Sequence, residues 1–206
     1  MKNPRLPHWE AVIGIVRYLE AHLGRGLLYK ANSHIQEAYT DADWARSPSY
    51  RKSITRYCAF LGGNLITWKS KKQTVVARSS AKAENRAMAH TSCELMWVKH
   101  LLKELKFVVK VPMTMHCDNQ AAIHIASNPV FHERIKHTEV DCHINREKVE
   151  DSVIATPYVS MRVQIADIFT KALCKGLGLL CNKLGLYDIY TLQLEGECYG
   201  YKLGEK

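Results

Sequence analysis

The sequence has no long apolar run and no Cys-x-x-Cys pair. No stretch approaches the roughly 20 apolar residues that a membrane-spanning helix needs, and the N-terminus has no hydrophobic segment typical of a secretory signal. The seven cysteines are an odd number, scattered along 206 residues. These features predict buried free thiols rather than disulfides, no membrane partner, and a cytoplasmic or nuclear location without secretion.

The familiar zinc-ligand spacings are missing as well. Four potential ligands do stand near one another along the chain, namely His132, His137, Cys142 and His143. Their spacing matches no common zinc pattern. Zinc at these residues therefore stays open only as an alternative.

Acidic residues are outnumbered by basic ones. Lys and Arg total 29 against 20 Asp and Glu, which gives a formal net charge of +9. Apolar residues make up 47% of the chain, enough for one soluble domain with a core and an appendage. A basic surface of this size favours a polyanionic partner, and nucleic acid is the usual one.

Hydrophobic periodicity predicts an α/β domain, with a mixed sheet flanked by helices. Strands are expected over 35–41, 54–61, 65–69, 111–117 and 153–159, and the Gly62-Gly63-Asn64 sequence predicts a hairpin between the second and third. Helices are expected over 8–23, 120–126, 137–149 and 164–173, with further turns at 174–184. The clearest helix follows Ser79 or Ser80, and its expected buried face is Met88, Thr91, Leu95, Val98, Leu102 and Leu105.

Four acidic residues stand where strands end or helices begin. Asp41 and Asp118 each follow a predicted strand, so neighbouring strands would bring both to one end of the sheet. Glu84 and Asp167 stand beside alanine and apolar residues in predicted helices. Four converging carboxylates would repel one another unless cations lay between them, and Mg²⁺ prefers such ligands. Taken singly, each could equally be a turn, cap or solvated helix residue.

Long motifs resemble the ribonuclease H domain of copia-type retrotransposon Pol polyproteins. The similarity runs from about residue 8 to residue 190 and includes YTDADWA at 39–45, FLGGNLITWKSKKQ at 60–73, RSSA at 78–81, CDNQAAI at 117–123, NPVFHER at 128–134, KHTEVDCH at 136–143 and QIADIFTKAL at 164–173. The resemblance implies a ribonuclease H-like fold with a five-stranded sheet over 35–175. Residues 1–34 resemble the end of the reverse transcriptase connection, and 176–206 would form a partly loose extension. The reverse transcriptase itself is not in this sequence.

The resemblance also implies an activity, the Mg²⁺-dependent endonucleolytic hydrolysis of the RNA strand in RNA–DNA hybrids. Asp41, Glu84, Asp118 and Asp167 would hold two Mg²⁺ ions, for which Mn²⁺ could substitute. Asp41 and Asp118 would contact both ions. Glu84 would hold one ion near the RNA 2′-OH, a group that DNA lacks, and Asp167 would hold the ion on the water side.

Further residues would contact the hybrid by the same resemblance. The expected phosphate contacts are Lys69, Lys71, Lys72 and Arg78, for which a solvated basic face is the alternative. Asn119 and Gln120 are expected near the minor groove. Trp68 could pack against a sugar or belong to the core.

Several positions depart from the copia pattern. Lys82 stands where an acid is expected, and Arg46 and Arg56 stand where glycine is typical. If the glycine at 56 supplied a positive φ, Arg56 would strain its strand. Residues 158–166 contain no histidine to assist product release, and His137 and His143 are expected on a helix, with His143 near its apolar face. These departures support an alternative, a catalytically silent nucleic-acid-binding module.

Overall fold

A computed structural model describes residues 3–30, 35–46, 49–128, 139–169 and 181–188. Two sheets occur in these stretches. Strands β1 (Arg25–Leu27) and β7 (Leu186–Asp188) form a small antiparallel pair. The main sheet has five strands in the order β4-β3-β2-β5-β6, which are β2 (Gln36–Asp43), β3 (Ile54–Leu61), β4 (Asn64–Lys72), β5 (Met113–Cys117) and β6 (Ile154–Ala155).

The main sheet is mixed, because some neighbouring strands pair antiparallel and others pair parallel. Strands β2, β3 and β4 are antiparallel neighbours, whereas β5 runs parallel to β2, and β6 runs parallel to β5. The turn between β3 and β4 consists of Gly62 and Gly63, with φ of 57° and 77°. Two positive φ values in succession are what a two-residue hairpin turn requires, and glycine adopts them without strain. The predicted hairpin is confirmed.

Helix α1 (Leu6–Glu20) precedes the main sheet, and three further α-helices among the described residues pack against the sheet or against one another. These are α2 (Ser80–Glu104), α3 (Gln120–Ser127) and α4 (Glu139–Glu150). Ser79 caps α2, because its side chain accepts a hydrogen bond from the backbone N–H of Lys82. Met88 and Leu95 of α2 pack with Met113 and Met115 of β5 in the main core. This packing fixes α2 across one face of the sheet.

A buried polar contact joins α2 to α4. Asn145 Nδ2 donates to the carbonyl of Asn85 at 2.8 Å, and Ser92 Oγ donates to Asn145 Oδ1 at 3.1 Å. The Cys142 thiol donates to Asn85 Oδ1. Each of these side chains satisfies a partner that would otherwise be buried without a hydrogen bond.

Several predicted elements differ from those observed. Residues 164–169 contain no α-helix but a 3₁₀ helix, Ile165–Phe169, which follows a shorter one, Met161–Val163. Strand β6 is only two residues long, with one isolated bridge at Tyr158. Strand β5 begins at Met113, so the prediction that it began at 111 is wrong, and β4 continues three residues beyond the predicted end. The part of the predicted helix over 170–173 and the turns predicted over 174–180 lie outside the described residues.

The apolar residues of α1 and α2 differ in burial. On α1, Val12, Ile15, Val16 and Leu19 recur at helical steps but are all at least 43% exposed, and α1 has no buried residue. On α2 the predicted face is confirmed from Met88 to Leu102, but Leu105 is exposed because the helix ends at Glu104.

Of the described cysteines, Cys58 and Cys117 are buried free thiols as predicted, whereas Cys93 is exposed. Within the described ranges, no helix is both long and apolar enough to cross a membrane.

Candidate carboxylate site

Parallel pairing of β2 with β5 brings two predicted site residues together. Thr40 is paired with Cys117, so Asp41 and Asp118 follow at the same level near the carboxyl ends of adjacent strands. This is the edge where open α/β sheets place their binding sites. Asp41 is buried, and Asp118 is partly buried.

Glu84 reaches the same place from the first turns of α2. Gln73, at the end of β4, holds this part of the helix against β3, since its Nε2 donates both to Thr55 Oγ1 and to the Ala83 carbonyl at 3.0 Å. The ligand atoms of Glu84, Cys117 and Asp118 lie within 4.8 Å of one another. Three of the acidic residues expected at one site therefore meet there.

Asp167 completes the cluster from the second 3₁₀ helix. Gln164, the residue immediately before this helix, donates from Nε2 to the Thr40 carbonyl at 2.9 Å. Ile165, the first residue of the helix, packs with Cys58 and Phe60 of β3. These contacts hold the segment on the sheet face opposite α2. Asp167 is 8% exposed, which is typical of a carboxylate with partners nearby.

The partner at the centre of the cluster is Arg56 of β3. Its Nη1 donates to Asp41 Oδ2 at 2.6 Å and to Asp167 Oδ1 at 3.2 Å. Its Nη2 lies 2.7 Å from Asp43 Oδ2, in an ion pair without hydrogen-bond geometry. Arg56 is only 1% exposed. This side-chain role of Arg56 was not predicted from the sequence; the signal was the arginine at a glycine position beside the acidic motif.

The backbone of Arg56 is unstrained. Positive φ values among described residues other than glycine occur at Ala45, Arg51, Lys106 and Ser152. Arg56 instead lies in regular antiparallel pairing, opposite Asp41 on one side and Ser70 on the other. The expected strand strain is therefore absent, and the consequence of this substitution lies in the side chain.

Electrostatics at the other half of the cluster favour a bound proton. Burial raises the pKa of Glu84 to about 9, with further increases from the charges of Asp41 and Asp118, against a lowering by a hydrogen bond from the Ala42 backbone. Burial also raises the pKa of the Cys117 thiol. Without a cation, Glu84 is therefore protonated near neutral pH, and Cys117 remains a neutral thiol.

The arrangement fits a pair of divalent ions poorly. Two ions would need oxygens from all four carboxylates, but those of Asp41 and Asp167 are bound to the Arg56 guanidinium. Glu84 and Asp118 offer hard oxygen ligands on the other side, while the protonated thiol of Cys117 is unsuited to Mg²⁺. The side chains as placed accommodate a cation at only one half of the cluster.

The predicted phosphate-binding residues lie beside this cluster. Lys69, Lys71 and Lys72 are exposed on β4, an edge strand of the main sheet, and Arg78 is exposed just before α2. Trp68 is 52% exposed, so it is not a core residue. Asn119 caps α3 through Oδ1, which accepts from the Ala122 backbone N–H at 3.0 Å, and Gln120 is exposed.

The alternative zinc ligands are not assembled among the described residues. His132 and His137 lie outside the described residues, while Cys142 bonds to Asn85. His143 is exposed, so its expected position near the apolar face of α4 is wrong. The potential metal-ligand group found in the described ranges is Glu84, Cys117 and Asp118.

Comparison with known proteins agrees with the sequence motifs. No protein-family model matches the chain. It is 40% identical over 176 residues to the retrovirus-related Pol polyprotein from transposon RE2 of Arabidopsis thaliana, covering 85% of this chain and 12% of that protein. It is 38% identical over 184 residues to the corresponding polyprotein from transposon TNT 1-94 of Nicotiana tabacum, and this match covers 89% of the present chain and 14% of that protein.

Among solved structures, LC11-RNase H1, isolated from compost by a metagenomic approach, is similar with a TM-score of 0.47 and 15% identity, covering 66% of this chain and 91% of that one.

The strand order, the mixed pairing and the flanking helices define a ribonuclease H-like domain. The chain belongs to the copia-type retrotransposon Pol polyprotein family. It spans about one eighth of the length of the curated relatives that it matches.

Proposed function

We propose that this ribonuclease H-type domain binds RNA–DNA hybrids along β4 and the adjoining carboxylate cluster. The observation that carries the proposal is the exposed series of Lys69, Lys71 and Lys72 on an edge strand, next to the cluster. Lysines on such an edge can reach phosphates without first breaking internal ion pairs. Phosphate contacts supply most of the affinity in nucleic-acid binding and make it dependent on salt.

Side-chain alternation along β4 divides its contacts between two faces. Trp68 and Lys72 are on the face of Ser70, which is paired with Arg56 and so lies on the Asp41 side. Lys69 and Lys71 are on the opposite face, toward α2. A hybrid crossing this edge could therefore place one backbone against the lysines while Trp68 packs on a sugar near the cluster.

Two further contacts would come from the start of α3. Gln120 is exposed, and the Asn119 side chain uses Oδ1 for capping, which leaves its amide hydrogens for a ligand. Both residues directly follow Asp118. They are therefore suited to the minor groove of a hybrid lying over the carboxylates, and Arg78 to a phosphate farther along.

A salt titration of hybrid binding tests this proposal. Replacing Lys69, Lys71 and Lys72 together by Gln should weaken binding of a labelled RNA–DNA hybrid by about 10-fold or more at 150 mM salt, and should reduce the salt slope by roughly 2 to 3. Fluorescence anisotropy from 50 to 300 mM salt measures both. The matched control changes the exposed Lys103, Lys106 and Lys110 to Gln, which removes the same charge elsewhere. Equal losses in the two triple variants would refute a site on β4.

Mg²⁺-dependent hydrolysis of the RNA strand is a second candidate. It is favoured by the presence of all four expected carboxylates, Asp41, Glu84, Asp118 and Asp167, in one cluster. Those residues would be the ones to hold Mg²⁺, or Mn²⁺ in its place. Hydrolysis would require Arg56 to release Asp41 and Asp167. The silent binding module is therefore the function that the arrangement supports best.

Cleavage assays separate the two candidates. A labelled hybrid incubated with Mg²⁺ or Mn²⁺ should remain intact if the domain only binds, with EDTA and a DNA duplex as controls. Loss of the RNA strand alone, dependent on metal, would establish hydrolysis instead. In that case Asp118→Asn should abolish cleavage and leave hybrid affinity within about twofold, because Asp118 would then act on the metal.

A further inference from the structure

The carboxylate cluster is crossed by a buried guanidinium. One nitrogen of Arg56 bridges Asp41 on β2 and Asp167 on the 3₁₀ helix, which are 126 residues apart in the chain, and the second terminal nitrogen contacts Asp43. The side chain of Arg56 is 1% exposed, and those of Asp41 and Asp167 are 9% and 12% exposed. A charge with so little water contact is stable in a protein only when opposite charges surround it.

The pairing links separate elements of the fold. Asp41 lies directly opposite Arg56 across the β2–β3 pair, so the two side chains emerge on one face of the sheet. Asp167 reaches that face because Gln164 and Ile165 hold its segment there. A metal ion bound between the two carboxylates would make the same link, with oxygens from the same two elements.

Arg46 adds a second positive charge at the rim of the cluster. Its Nη1 donates to the Asp43 oxygen that Arg56 also contacts, at 2.6 Å, but the Arg46 side chain is 48% exposed. Arg46 is therefore screened by water and contributes little, whereas Arg56 lies between the carboxylates. The two arginines thus share a partner and differ in burial.

We propose that the Arg56 guanidinium takes the place of a divalent cation between Asp41 and Asp167, so that the domain folds with this half of the cluster closed to metal. The inference goes beyond hybrid binding and does not depend on it. The fold is then stable in EDTA, and metal access to these two carboxylates requires removal of the Arg56 side chain.

Counting bound Mn²⁺ tests the proposal without an activity assay. Electron paramagnetic resonance of free Mn²⁺ gives the number of ions bound per chain in the wild-type chain of residues 1–206 and in its Arg56→Ala variant. We expect the variant to bind one more ion than the wild type at up to 1 mM Mn²⁺, on the order of ordinary weak sites. Equal numbers in the two proteins, or two ions bound by the wild type, would overturn the proposal.

Thermal melting supplies the second readout. Arg56→Ala should melt on the order of 10 °C lower than the wild type in EDTA, because two buried carboxylates lose the guanidinium that bridges them. Mn²⁺ should restore part of that loss in the variant and leave the wild-type midpoint within about 1 °C. Arg46→Ala is the matched control and should melt like the wild type in both conditions. A wild-type midpoint that rises by several degrees with Mn²⁺ would contradict the inference even if Arg56→Ala fails to fold.

A charge-preserving variant separates charge from packing. Arg56→Lys keeps the positive charge at the same strand position but has no planar fork to bridge two carboxylates. In EDTA its melting temperature should lie between those of Arg56→Ala and the wild type. It should not bind the additional Mn²⁺ ion that Arg56→Ala binds. If Arg56→Lys binds the additional ion, positive charge is not what keeps metal out.

Discussion

Two adjacent strands, β3 and β4, carry positive charge in opposite ways. On β3, Arg56 is almost fully buried and contacts three carboxylates. On β4, Lys69, Lys71 and Lys72 are exposed along the sheet edge. Burial makes the β3 charge a structural requirement, because no water can replace its partners. Exposure leaves the β4 charges available to a ligand, with little effect on folding.

The largest expected difference concerns stability. Arg56→Met keeps most of the side-chain volume but removes the guanidinium from the buried carboxylates of Asp41 and Asp167, which should cost about 3 to 5 kcal/mol of unfolding free energy. Lys71→Met on the neighbouring strand should change it by less than about 0.5 kcal/mol. Urea unfolding of both variants measures the contrast. Similar midpoints would mean that burial does not distinguish the two strands.

A smaller effect should appear in the pH dependence of stability. The pKa of Glu84 is raised to about 9 from 4.5, so between these pH values the folded state keeps a proton that the unfolded state releases. The free energy of unfolding must therefore fall as pH rises through this window, by at most about 1.4 kcal/mol per pH unit.

Glu84→Gln should remove most of that fall, since Gln has no proton to release. Urea unfolding in EDTA at pH 5, 6.5 and 8 measures the slope. Asp151→Asn, at an exposed turn position, is the control and should keep the wild-type slope. A Glu84→Gln slope equal to that of the wild type would show that other groups cause the pH dependence.

The turn between the two strands should give the smallest effect. Gly63→Ala should cost about 1 to 2 kcal/mol, because φ of 77° disfavours any Cβ although no atom lies within 4 Å of it. Gly26→Ala in β1, where a Cβ also meets nothing within 4 Å and φ is not positive, should cost less than about 0.5 kcal/mol. Thermal melts compare the two. Equal losses of stability in the two variants would mean that the hairpin tolerates a change of turn conformation.

Much of the fold follows from local patterns in the sequence. The periodicity from Met88 to Leu102 and the Gly62-Gly63 pair predict α2 and the hairpin, and both are confirmed. The proximity of Asp41 and Asp118 also follows, because strands ending in carboxylates become neighbours when they run in parallel. These features depend on residues close together in the chain or on the topology that the family resemblance implies.

The rest depends on contacts that local patterns do not reveal. An apolar stripe indicates a helix over Leu6–Glu20 but not whether anything covers it, and here its residues are exposed. The segment around Asp167 forms a 3₁₀ helix, shaped by Gln164 bonding to β2. From the sequence alone, Arg56 at a glycine position predicts backbone strain. The side chain instead bridges Asp41 to Asp167, which lies 111 residues farther along the chain.

The bridge made by Arg56 changes which substitutions such a domain can tolerate. Once the guanidinium is buried there, Asp41 and Asp167 are needed to stabilise its charge, whatever the activity of the domain. Mutations that remove either acid would be eliminated for failure to fold rather than for failure to cut RNA. Asp41 and Asp167 would thus be required by the fold itself, independently of any chemistry at the cluster.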